Sequence, residues 1–165
     1  MVTTLDHVTI LKTSPLRVWT VLTDFAGHAQ WKPFIQLAGA AVVGGDATYT
    51  FRISGLGKAV TSSADIIRVE KPFAFAWTAG VAKLLLFEES YELEAVLEGT
   101  RLRHSLRFSG IFAVPLHWLM ARKVVASLER SDWCLERQLR RSPVQQVPSR
   151  PAPVRNGFRK QRRQK

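Results

Sequence analysis

At 165 residues with 46% hydrophobic side chains, the chain is long enough to bury one core without metal or disulfide support, and a second full domain does not fit. The single Cys134 excludes an internal disulfide, and no group of Cys and His residues has zinc-site spacing. The net charge of +11 looks like a nucleic-acid signature until it is located: seven of the 24 basic residues and no acid lie from Pro143 onward, which leaves 17 basic against 13 acidic residues before it.

The first seven residues lack the charged start and apolar run of a signal peptide. Residues 4–12 alternate as a first strand, ended by Thr13-Ser14-Pro15. Ser14 suits a helix N-cap and Pro15 a first helical position, because proline's missing N–H is one that a helix start cannot bond anyway. The helix that follows carries Val18, Val21, Leu22 and Phe25 near helical spacing, and Gly27 breaks it before a short segment with Trp31 and Pro33. From Phe34 to Ser109, glycines and Pro72 punctuate five or six antiparallel strands. Gly55-Leu56-Gly57-Lys58 lacks the glycine spacing and following helix of a phosphate loop and reads as a hairpin turn.

The pairing expected best joins residues 85–95 to residues 100–109. With Glu98-Gly99 as a two-residue turn, His104 falls opposite Leu93, Leu106 opposite Tyr91 and Phe108 opposite Glu89. These form one apolar face that also holds Glu89 and His104, while Glu92, Glu94, Arg103 and Arg107 point to solvent. In this register Glu89 and His104 are not direct partners; they stand about 13–14 Å apart.

Pro115 opens the longest helical stretch, to about Arg140. Leu116, Met120, Val124, Leu128, Ser131 and Leu135 form one stripe, with Ser127 and Cys134 inside it. The small Ser127 and Ser131 either let the helix approach the sheet closely or leave space beneath it. Residues 111–120 are apolar but too few to span a bilayer, so a cytoplasmic protein is expected. Residues 143–165 hold four of the eight prolines and few apolar residues and read as a disordered basic tail after a domain at 1–142.

The element order resembles the START and birch-pollen-allergen superfamily, also called SRPBCC. Ser14-Pro15 with Val18-Trp19, then Leu22-Thr23-Asp24-Phe25, Trp31 and Pro33-Phe34, is similar to the opening of its bacterial polyketide-cyclase/dehydrase-like branch. Phe87-Glu88-Glu89, Tyr91-Glu92-Leu93 and the run from His104 to Phe108-Ser109-Gly110 are similar to its last two strands. Lys32 stands where that branch leads one to expect Asn, and Ser105-Leu106 replaces a more polar pair. The resemblance implies an α+β helix-grip fold: a curved antiparallel sheet wrapped around a long C-terminal helix, with two short helices after the first strand. It covers carriers, receptors and enzymes alike.

Glu89 and His104 are the candidate catalytic residues. Burial of Glu89 is expected to raise its pKa and suit it to act as an acid, a base or a polar ligand anchor; alternatively, each bonds locally, His104 to a carbonyl and Glu89 to water. Tyr49, Phe51, Phe75, Trp77, Phe87 and Tyr91 form either aromatic pocket walls or core, as does Phe73, which alternates with Phe75 and Trp77. With Met120, Ser127 and Ser131 they complete the expected ligand-binding set. No motif implies a cofactor or a metal, and no nucleophile elbow or triad is present. Three functions follow: binding of a hydrophobic small molecule such as a lipid, isoprenoid or aromatic metabolite; a cyclase or dehydratase using pocket acids and bases; or an adaptor binding polyanions or anionic membranes through the tail. Trp118 and Trp133, opposite the inward stripe, are expected either as a homodimer surface or as scattered exposure.

Overall fold

A computed structural model describes residues 2–52 and 59–141. Strand β1 (Val2–Leu11) leads through Ser14, which is extended and precedes Pro15, into helix α1 (Pro15–Thr23). A 3-10 turn (Phe25–Gly27) and the short helix α2 (His28–Trp31) follow. Strands β2 (Ile35–Gly39), β3 (Asp46–Arg52), β4 (Ala59–Glu70), β5 (Ala74–Val81), β6 (Leu85–Val96) and β7 (Gly99–Ser109) precede the long helix α3 (Ala113–Arg141). Ser14 holds the N-cap position but its side chain makes no capping bond, and α3 starts two residues before Pro115. The Gly55–Lys58 turn and the tail from 143 lie outside the described residues.

The strands form one antiparallel sheet in the order β1-β7-β6-β5-β4-β3-β2. Its inner face carries Leu37, Tyr49, Ile66, Phe75, Trp77, Tyr91, Leu93 and Leu102, packed with Val18, Trp19 and Leu22 of α1, Phe25, and Leu135 and Leu139 of α3. Arg17 of α1 donates to the Leu139 carbonyl at 2.7 Å, satisfying an acceptor in the last turn of α3. His28 is locked between two backbone groups: its Nε2 donates to the Leu22 carbonyl at 2.9 Å and its Nδ1 accepts from the Leu37 N–H at 3.2 Å. This fixes the short helices against β2. Phe73 precedes β5 in an exposed turn and does not share the inward face of Phe75 and Trp77.

The β6–β7 hairpin corrects the expected register by two residues. Val96 pairs with Gly99, so Leu97-Glu98 is the turn, Tyr91 faces His104, Leu93 faces Leu102 and Glu89 faces Leu106. Gly99 is needed in the ladder itself, at φ 137°, where a Cβ would collide with the Leu11 carbonyl of neighbouring β1. A two-residue shift preserves faces, so Glu92, Glu94, Arg103 and Arg107 remain exposed and His104 buried. The outer ladder therefore pairs Glu88 with Arg107, Glu92 with Arg103 and Glu94 with Arg101.

Candidate functional site: a buried ion network at the floor of an apolar chamber

The register brings Glu89 and His104 together. His104 Nε2 lies 2.9 Å from Glu89 Oε1, which replaces the expected separation of 13–14 Å with a direct bond. The Tyr91 hydroxyl donates to the same oxygen at 2.7 Å, while Trp77 Nε1 at 2.8 Å and Lys32 Nζ at 3.1 Å donate to Oε2. Four donors from four stretches of chain thus fill the four acceptor positions of one carboxylate. On its other side, His104 Nδ1 lies 2.8 Å from Asp132 Oδ1, and His7 Nδ1 lies 2.6 Å from Asp132 Oδ2.

Local sequence explains each arm. Lys32 precedes Pro33, which forces it out of helical geometry (φ −85°, ψ 110°) at the end of α2 and delivers its side chain beneath the sheet. His7, His104 and Tyr91 sit at matching positions on three adjacent strands, and the Tyr91 ring stacks on the imidazole with centroids 4.2 Å apart. Asp132 sits on the inward stripe of α3 with Val124, Leu128, Leu135 and Leu139. The sequence reading missed Lys32, Asp132 and His7 as members of this site. The available signals were a lone carboxylate at helical spacing within an apolar stripe and the cross-strand alignment of His7 with His104.

The electrostatics reverse the expectation for Glu89. Burial alone pushes its carboxyl up, but the Lys32 ammonium, with the His104 and Tyr91 bonds, outweighs burial and holds it well below the usual carboxylate range. Likewise, burial would discharge His104, yet its bonds to Asp132 and Glu89 raise its pKa above 6.5. An imidazole between two carboxylates donates from both nitrogens and is therefore an imidazolium. Burial and the adjacent Glu89 charge raise the Tyr91 hydroxyl well above 10. His28, on the short helix that ends at Lys32, is pulled down to about 4 by burial and by the Lys32 charge.

Two adjoining chambers lie between the sheet and α3. The inner one, about 210 Å³, is lined by Lys32, Glu89, His104, Ser127, Leu128 and Ser131 among others. The outer one, about 890 Å³, has walls from Tyr49, Phe51, Leu85, Phe87, Phe108 and Leu116, with the exposed Lys123 and Arg130 also on its lining. Phe34, Ile35, Leu106, Met120, Lys123, Val124 and Ser127 line both. Of the residues expected from the sequence, Tyr49, Phe51, Phe87, Glu89, His104, Met120, Ser127 and Ser131 therefore face chamber space. Phe75, Trp77 and Tyr91 line neither chamber and are at most 2% exposed, packed in the core behind the walls. Among the described residues, no group of His, Cys, Asp and Glu is arranged to hold a metal, and no helix is long and apolar enough to cross a membrane.

The family model for polyketide cyclase / dehydrase and lipid transport proteins matches residues 2–141. The chain belongs to this family. The family's helix-grip architecture, within the SRPBCC superfamily, recurs in solved structures of low sequence identity. Protein CV1439 from Chromobacterium violaceum is 15% identical, with TM-score 0.67, covering 84% of this chain and 99% of that one. TTHA0849 from Thermus thermophilus is 17% identical, with TM-score 0.64, covering 83% and 97%. Ara h 8.0201 is 16% identical, with TM-score 0.62, covering 86% and 100%. At these identities the likeness is one of fold. No curated protein sequence matches the chain significantly.

Proposed function

We propose that this member of the polyketide cyclase / dehydrase and lipid transport family binds a hydrophobic small molecule (a lipid, an isoprenoid or an aromatic metabolite) in the space between the sheet and α3. The observation that carries this reading is the outer chamber, whose volume of about 890 Å³ and walls of aromatic and aliphatic side chains suit a ligand with a long or flat apolar body. The inner chamber adds a polar end, with Ser127, Ser131 and Lys32 all on its lining.

A cyclase or dehydratase reading requires Glu89 or His104 to exchange a proton with a ligand. Both Glu89 oxygens carry two donors, and both His104 nitrogens are engaged by carboxylates. That saturation favours the role of a rigid polar floor over that of an acid or base.

Titration with the fluorescent apolar probe N-phenyl-1-naphthylamine tests the binding reading. Ser127 lines both chambers, so Ser127→Phe should fill the passage and weaken the probe by roughly tenfold or more while the far-UV spectrum is unchanged. Equal affinity of the two proteins would refute the chamber as the binding site. Native mass spectrometry of protein from its own source would then identify the resident molecule.

A further inference from the structure

Exposed apolar side chains stand next to the chamber-lining residues Leu85, Leu116 and Met120. The turn between β5 and β6 is tied to the segment before α3 by two backbone bonds, Ile111 N–H to the Lys83 carbonyl at 3.0 Å and Phe112 N–H to the Leu84 carbonyl at 3.1 Å. This places Leu84 beside Ile111 and Phe112 at the start of α3, whose first two turns carry Trp118 and Leu119. All five are exposed, Trp118 at 87% and Leu119 at 73%. Large apolar side chains gathered in this way mark an interaction surface rather than the scattered exposure of an ordinary exterior.

We propose that this tip docks on an anionic lipid bilayer, with the chamber mouth held against the membrane. Two observations select a bilayer among the surfaces that could cover the tip. The two segments that build it, 81–87 and 110–128, contain Lys83, Arg122 and Lys123 and no Asp or Glu. A second copy meeting the same patch would bring like charges together, whereas an anionic membrane complements them. The chemistry is also layered along α3. Trp118 and Leu119 are followed one turn later by Arg122 and Lys123, a rise of about 6 Å. With the N-terminal end of α3 directed at the membrane, that rise sets the apolar groups nearer the acyl boundary and the cations nearer the headgroups.

The other face of the same turns continues into the chamber: Leu116, Met120 and Lys123 line it, as does Leu85 just after the β5–β6 turn. An apolar molecule leaving the bilayer at the tip would enter the chamber without crossing bulk water. This second half of the proposal rests on the binding reading above; the docking itself does not.

Full-length protein should co-sediment with vesicles of phosphatidylcholine containing about 30% phosphatidylserine and far less with phosphatidylcholine alone. With brominated phosphatidylcholine in those vesicles, tryptophan emission should be quenched, because Trp118 enters the acyl boundary. Trp118→Phe should keep sedimentation and lose most of the quenching. Phe112→Asp combined with Leu119→Asp should weaken association by roughly tenfold or more, since two apolar side chains lose their burial. Association without quenching would place the contact elsewhere, in the basic segment after residue 142, and would overturn the proposal. So would a dimer in sedimentation velocity that Leu119→Asp dissolves. N-phenyl-1-naphthylamine titration of the same variants separates the two readings: quenching with no probe uptake leaves docking intact and rejects the chamber, and the reverse rejects docking alone.

Discussion

Glu89 is the residue on which most of the interior polar geometry converges, and its neighbours decide how the protein responds to substitution. Glu89→Gln removes the charge while Lys32 and His104 stay buried, at 3% and 1% exposure. Breaking one side of a buried ionic network in this way costs about 3–5 kcal/mol, to be read as a lowered urea midpoint at unchanged m-value. The pH dependence has a worked sign at three residues. His28 is near 6.5 unfolded and about 4 folded, so the unfolded chain takes up its proton first and stability falls as pH drops from 6.5 to 4. The loss is on the order of 3 kcal/mol at about 1.4 kcal/mol per pKa unit. Glu89, depressed on folding, contributes fully above 4.5 and loses its contribution as pH falls below that value. His104, raised on folding, contributes fully below 6.5 and loses its contribution as pH rises through its elevated folded value. Melting temperature should therefore peak near neutral pH, and His28→Gln should flatten the slope between pH 6.5 and 4. A variant that keeps the full acid slope would place the titrating group elsewhere.

Among the elements, the β6–β7 hairpin shows what was legible in the sequence and what was not. Alternation of charged and apolar residues fixed which side chains face inward, because a strand has only two faces. It did not fix the register, since pairings two residues apart satisfy the same alternation and Glu98-Gly99 and Leu97-Glu98 both serve as turns. The deciding contact comes from β1, whose Leu11 carbonyl leaves no room for a Cβ at residue 99. No local pattern records an approach between segments almost ninety residues apart. Gly99→Ala should accordingly cost about 2 kcal/mol or more in chemical denaturation, through the clash and the positive φ together. The long helix was legible in extent and stripe. Asp132 escaped notice because a single carboxylate beside Ser131 reads as the polar edge of that stripe until His104 and His7 are seen to meet it.

For the whole molecule, the family model matches residues 2–141, and both core clusters of the described residues lie within that span. Ending the chain after Ser142 should leave melting temperature and N-phenyl-1-naphthylamine affinity nearly unchanged. A marked drop in either would show that the residues beyond contribute to the body. The excess positive charge divides in the same way, with seven cations and no acid after Ser142. Their removal should weaken any salt-sensitive binding to polyanions without altering the interior.

The donors that saturate Glu89 come from the end of α2, β5, β6 and β7, and Asp132 of α3 holds the last of them from behind. Trp77 and His104 reach Glu89 across the β5–β6 and β6–β7 hairpins, whereas Lys32 and Asp132 come from distant α2 and α3, so the whole set closes only when the last helix has docked on the sheet. Assembly before that point proceeds without it. Removing the carboxylate should then hasten escape from the native state far more than it slows arrival. In a chevron plot, Glu89→Gln should raise the unfolding limb and leave the refolding limb nearly in place, a φ-value close to zero. The half-life of the folded protein, more than its speed of formation, is what this buried carboxylate governs.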